Sequence, residues 1–239
     1  MKRLRSILVI IACSLTVAIA QQKVPRELQY GLIGGANLSE YRFAPSITQN
    51  QSQGYTFGVA ARYIEEKIFG LQAELLLTRR GMKDRYDSYP QYSFERTLTY
   101  VEVPVMAHIY FGMGKRNEVS IDMGPKIGFF LSDNTTSKTD NDYIDLVINT
   151  SRHGYQHHDM NIAKKFDYGI QAGVGYEFKL NHSMSLQLQG RYYFGLGNVF
   201  PDTKSDVFEN SSNQSIQIVA ALWFHKWIKK SWGGYRPIK

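Results

Sequence analysis

The chain has 239 residues, 43% of them hydrophobic and 21% charged, with one cysteine and a formal charge of +7. Lys2, Arg3 and Arg5 at the start, and Lys226, Lys229, Lys230, Arg236 and Lys239 in the last fifteen residues, leave a body of 20 bases against 21 acids. The positive balance belongs to the two ends, which argues against a nucleic-acid-binding body.

Residues 1–20 have the three parts of a secretory signal. A charged start is followed by an apolar centre from Ile7 to Val17 and a small-residue site, Ala18-Ile19-Ala20. The apolar run is too short for a transmembrane helix. Cleavage after Ala20 removes Cys13, so the mature chain has no disulfide, cysteine nucleophile or cysteine metal site. Residues 21–27 then form a short periplasmic lead.

From Leu28 the chain alternates with period two, the mark of strands. The first predicted strand, 28–38, shows Tyr30, Leu32, Ala36 and Leu38 on one face, and its glycines suit a tightly curved sheet. A polar loop, 39–53, leads to the second strand, 54–63, with Tyr55, Phe57, Val59, Ala61 and Tyr63 opposite Thr56, Ala60 and Arg62. After a short turn, the third strand, 69–79, sets Leu71, Ala73, Leu75 and Leu77 against Gln72, Glu74 and Thr78. A loop over 80–96, dense in charge and tyrosine, precedes a long hairpin.

In that hairpin Val101, Val103, Val105, Ala107, Ile109 and Phe111 oppose Tyr100, Glu102, Met106 and His108. Its second arm sets Val119, Ile121, Met123, Ile127, Phe129 and Leu131 against Ser120, Asp122 and Lys126. Pro104 forfeits a ladder bond and predicts a bulge. A long loop, 132–165, leads to the sixth strand, 166–178. A tight turn and the seventh strand, 183–194, follow; after a loop over 195–213 the eighth spans 214–224.

The apolar faces run for about a dozen residues in the hairpin, near the roughly 9–11 that a tilted strand needs to cross a bilayer. Connections alternate between short and long, and aromatics crowd the strand ends. Together these features predict an all-β fold over 28–224. It is an eight-stranded antiparallel transmembrane β-barrel of OmpA/OmpX-like architecture, with short periplasmic turns and long extracellular loops. The location implied is the outer membrane of a Gram-negative bacterium, with both mature termini in the periplasm.

Gly31-Leu32-Ile33-Gly34-Gly35-Ala36-Asn37-Leu38-Ser39 resembles the first-strand motif of the PorT-like outer-membrane β-barrel family of the Bacteroidetes. Tyr100-Val101-Glu102-Val103-Pro104-Val105 and the run Met123 to Ser132 are similar to its central hairpin, and Phe166-Asp167-Tyr168-Gly169 and Gly173 to Phe178 to its sixth strand. Arg191-Tyr192-Tyr193 and Gly195-Leu196 match the end of its seventh. The resemblance spans nearly the whole mature chain. It implies the barrel fold and, through the founding member, an assisting role in type IX protein secretion. The segment 225–239 departs from it, since such barrels commonly end near their last strand.

The alternation sends Arg62, Glu74, Glu102, His108, Asp122, Lys126, Asp167, Glu177 and Arg191 inward, with Gln171, Gln187 and Gln189. Eight strands enclose room for side chains or one small ligand, so a polar network that fills the barrel is expected. Glu102 and His108 lie about 20 Å apart along one strand and cannot pair; Asp122 or Lys126 is the expected neighbour of Glu102. Ser185 and the other serines show no histidine–acid arrangement in the sequence, so no catalytic residue is expected.

His153, His157, His158 and Asp159, with Asp140, Asp142 and Asp145 nearby, are suitable metal-ligand types, but their spacing fits no standard zinc motif. An exposed polar loop is expected there, with no metal or cofactor. Lys226, Trp227, Lys229, Lys230, Trp232 and Arg236 suit a periplasmic anchor or docking segment over 225–239.

The sequence thus points to a non-enzymatic structural or interaction protein. Its expected partners are outer-membrane lipid and, through loops and tail, envelope or secretion-system proteins. The alternatives are an enzyme acting on envelope lipid or protein, and a narrow small-solute channel.

Overall fold

The computed structural model describes residues 26–44, 49–65, 67–85, 93–138, 162, 164–200 and 210–227. Eight long strands form the wall: β1 Glu27–Ala44, β2 Ser52–Ile64, β3 Phe69–Asp84, β4 Ser93–Gly112, β5 Asn117–Lys138, β6 Phe166–Lys179, β7 Met184–Asn198 and β8 Asn210–Trp227. Each pairs antiparallel with the next, and β1 pairs with β8 from Glu27↔Trp227 to Ala44↔Asn210, which closes the ring. A two-residue piece, Gln49–Asn50, pairs with Asp84 and Lys83 beside the start of β2. Closure satisfies the backbone groups that an open edge would expose to lipid.

The outer surface is apolar because period-two alternation places every second side chain there. Leu32 is 58% exposed, Val174 60% and Ile218 62%. In water so continuous a patch would drive association, whereas lipid tails cover it without cost. Phe129, Phe166 and Tyr168 gather towards the long-loop end, with 5.4 Å between the first two rings. Phe111, Phe178 and Phe224 lie next to the short turns.

The strands run past the bounds that the apolar pattern suggests. Ser39–Ala44, Arg80–Asp84, Ser93–Arg96, Ser132–Lys138, Gly195–Asn198 and Asn210–Asn213 all belong to strands rather than loops. At 22 residues, β5 is about twice what a bilayer crossing requires. Beyond the lipid belt the outward face no longer has to be apolar, so the alternation lapses while the backbone still needs partners.

Pro104 carries no bulge. It pairs with Lys126, and the β4–β5 register is the same at Val103↔Ile127 and Ala107↔Met123. The register shifts instead between Thr99 and Tyr100, where Ser132 and Phe130 are the successive partners and Leu131 is the extra residue. Inward glycines let the narrow ring close: a Cβ on Gly58 or Gly124 would lie 2.0 Å from the carbonyl oxygen of Leu75 or Val105 on the next strand.

Candidate functional site

The chemistry-bearing side chains converge inside the ring. Nearest the short turns, Arg62 on β2 is fully buried and spends its guanidinium on four neighbours. It donates to Glu177 and Gln187 at 2.8 Å, to Gln72 at 2.8 Å and to Gln29 at 3.0 Å. The indole of Trp223 lies 4.0 Å from it, and the indole N–H donates to Gln187 at 2.9 Å. Gly31 makes room for this ring, since a Cβ there would sit 2.8 Å from Trp223 Cε3.

One step further along, Arg191 forks onto both oxygens of Glu74 at 2.7 and 2.8 Å. Its Nε donates to Gln189, whose amide donates to Asp122, and Asp122 faces His108 Nδ1 at 2.7 Å. Charges from β2, β3, β4, β5, β6 and β7 are thus tied into connected pairs. Charge-assisted hydrogen bonds of this kind are stronger in a low dielectric than in water.

A second charged layer lies towards the long loops, centred on Arg80 of β3. Arg80 reaches Glu102 at 2.9 Å, Asp167 at 2.8 Å and Asn213 at 2.9 Å. The rings of Tyr100 and Tyr193 lie 4.3 and 5.0 Å from its guanidinium carbon. Lys126 Nζ donates to Glu102 at 3.0 Å and sits 3.7 Å over Tyr193. Tyr193 in turn donates to Asp167 at 3.1 Å.

Apolar groups complete the filling. Ile33, Ala60, Leu76, Val219, Ala221 and Trp223 form a buried cluster on β1, β2, β3 and β8. A second cluster caps the long-loop end, where Tyr41, Phe43, Met82, Leu98 and Tyr100 pack with Val199 and Phe200. Val199 and Phe200 fold inward just after β7, held by their N–H groups donating to Ser211 Oγ. Phe43 and Phe200 stack at 5.9 Å.

All nine charged or titratable residues that the alternation sends inward are buried there. Asp122 and Lys126 both project inward from β5, and the register gives Glu102 to Lys126 and His108 to Asp122. Sequence reasoning misses Arg80 and Tyr193 as site residues. Arg80 falls beyond the last apolar residue of its strand, where nothing in the pattern marks it as inward.

The tail begins later than the sequence suggests. β8 runs to Trp227, and His225 turns into the barrel to meet Glu27 and Ser185. Lys226 is exposed within this strand. Lys229, Lys230, Trp232 and Arg236 lie outside the described residues, as do His153, His157, His158 and Asp159. Among the described residues no group of acids, histidines and cysteines is arranged to hold a metal ion.

Ser185 corrects another expectation, because its neighbours do form a histidine–acid series. Ser185 Oγ lies 2.8 Å from His225 Nε2, and His225 Nδ1 contacts Glu27. Sequence spacing hides this: β7, β8 and β1 become neighbours only once the ring closes. The series is not built like a hydrolase nucleophile, however. Ser185 is fully buried, and its hydroxyl donates to Glu177 at 2.5 Å rather than to the imidazole.

An apolar-belted, closed ring with a plugged, charge-paired interior defines an outer-membrane β-barrel. The chain belongs to the family described as outer membrane protein beta-barrel domain, which matches residues 19–201. Among curated proteins no sequence matches. Solved structures similar to it include the Yersinia pestis attachment invasion locus protein Ail, at 12% identity. That likeness covers 85% of this chain and all of Ail, with a TM-score of 0.43. The Pseudomonas aeruginosa outer membrane protein OprG is 9% identical over 88% of this chain and all of its own, with a TM-score of 0.49. The outer membrane enzyme PagL is 10% identical over 80% of this chain and 97% of its own, with a TM-score of 0.36.

Proposed function

We propose that this protein is a closed, non-enzymatic outer-membrane barrel that works as a structural or interaction protein through its two ends. The observation that carries this reading is the filling of the interior. Arg62, Arg80, Lys126 and Arg191 are each bound to buried carboxylates, and apolar clusters flank them. A diffusing solute would have to part several of these pairs at once, leaving buried charges uncompensated. Function is therefore left to surfaces outside the barrel: the long loops, and the basic aromatic segment after Trp227.

The finer reading is a PorT-like component or assistant of type IX protein secretion, supported by the sequence motifs of the first strand and central hairpin. In this reading both termini are periplasmic and the tail meets partners there. In-cell crosslinking of the tagged protein, compared with a variant ending at Trp227, tests it. Secretion-apparatus partners that vanish with the tail are the expected result; their absence from both samples refutes the secretion role. The truncation leaves His225 in place because that side chain belongs to the barrel interior.

A further inference from the structure

We propose that the short-turn end of the barrel contains a proton-binding site, Glu27–His225–Ser185–Glu177, in which His225 is held as an imidazolium that latches the last strand to the first. The argument is a count of protons. Three contacts link the four groups: Glu27 to His225 Nδ1, His225 Nε2 to Ser185 Oγ at 2.8 Å, and Ser185 Oγ to Glu177 Oε1 at 2.5 Å. Each needs one hydrogen. With both carboxylates ionised and the imidazole neutral, the set contains only two, one on the serine and one on the ring. A third proton completes the series.

The surroundings say where that proton sits. Glu177 is bound by Arg62 at 2.8 Å, which keeps it ionised, so Ser185 donates to Glu177. Its oxygen then accepts from Nε2–H. Glu27 is anchored by Gln29, whose Oε1 accepts from Arg62 at 3.0 Å and whose Nε2 donates to Glu27 Oε1 at 3.2 Å. Gln29 Nε2 also lies 3.3 Å from His225 Nδ1, but Nδ1 in contact with an ionised Glu27 oxygen has to carry a hydrogen, because two bare acceptors would repel. Both ring nitrogens of His225 therefore act as donors.

The charge balance agrees. Arg62 is matched by Glu177, while among the described residues Glu27 is paired with His225 and with no guanidinium or ammonium group. Among the described residues, the other charged and titratable groups around this end include Tyr110 and His108 on β4, Glu118 and Asp122 on β5, and Arg26, which pairs with Glu65. His108 is committed to Asp122, and Glu118 to Lys179 of β6. On its own strand His225 is followed by exposed Lys226. An imidazolium between Glu27 and Glu177 gives Glu27 a cationic partner and ties β8 to β1, β7 and β6 at once.

The test is nitrogen NMR of the full chain, with 15N-histidine, in detergent micelles at pH 7. His225 is assigned by the signal lost in His225→Gln. Two ring N–H groups on His225 are the expected result, and a single N–H with one bare ring nitrogen overturns the proposal. Urea unfolding at pH 7 gives a second readout: the losses in Glu27→Gln and His225→Gln should be non-additive in the double variant, and additive losses overturn the latch.

Discussion

Removing the Arg80 side chain should be among the most damaging single changes in the barrel. The guanidinium is 1% exposed and lies within 2.9 Å of both Glu102 and Asp167, with Asn213 as a third partner. In Arg80→Met, Glu102 retains Lys126 at 3.0 Å, whereas among the described residues Asp167 keeps the Tyr193 hydroxyl at 3.1 Å as its hydrogen-bond donor. A buried carboxylate stripped of its cation costs about 3–5 kcal/mol. The expected loss lies in that range, because the aliphatic replacement preserves much of the packing against Tyr100 and Tyr193.

The assay is reversible urea unfolding in micelles, run as a double-mutant cycle with Asp167→Asn. Neutralising Asp167 should recover part of the loss, with a coupling of about 1.5 kcal/mol or more. Arg79 is the control: it points outward, and its guanidinium donates to Thr97 at 3.0 Å, so Arg79→Met should cost roughly 1 kcal/mol. A loss below 1 kcal/mol for Arg80→Met, or additivity with Asp167→Asn, would refute the view that the long-loop layer is held by Arg80.

Other substitutions probe the remaining layers. Gly31→Val should cost about 1–3 kcal/mol and shift the fluorescence of Trp223, since its Cβ would meet the indole at 2.8 Å; unchanged stability and emission would contradict that packing. Phe200→Ala should cost about 3–5 kcal/mol if the capping cluster unfolds with the barrel. Faster hydrogen exchange at the N–H groups of Val199 and Phe200 would show the same loss locally. Lys126→Met should be milder than Arg80→Met, because Glu102 then still has Arg80 at 2.9 Å; the two urea midpoints decide the order.

The fold was legible because lipid imposes a two-residue rhythm. Where a strand crosses the belt, one face must be apolar, as at Val59, Leu75, Val105, Ile121, Val174 and Leu188, and the opposite face collects Arg62, Glu74, Asp122 and Gln189. Above the belt that demand stops, so Arg80 and the β5 segment Ser132–Lys138 read as loop although they continue the ladder. Interior residues that are themselves apolar, such as Ile33, Leu76 and Val219, blur the contrast between faces and hide the plug. Val199 and Phe200 resemble any apolar pair in a loop until Ser211 holds them inward.

The site was legible residue by residue but not pair by pair. Alternation identifies Glu102, Asp122 and Lys126 as inward, yet only the register decides that Lys126 takes Glu102 and Asp122 takes His108. His225 escaped because Phe224 is the last outward apolar residue, which makes the following histidine look like the start of a tail. Its partners Glu27 and Ser185 lie 198 and 40 residues away in sequence. Ring closure alone brings β7, β8 and β1 together, and spacing along the chain contains no trace of that proximity.

The most direct test of the closed barrel is conductance of the purified protein in planar lipid bilayers. Filled by paired charges between apolar clusters, the wild type should show no discrete current steps at moderate voltage. Lys126→Met and Asp122→Asn should be equally silent. Reproducible single-channel steps in the wild type, altered by either substitution, would contradict the account and make the interior a conduction path.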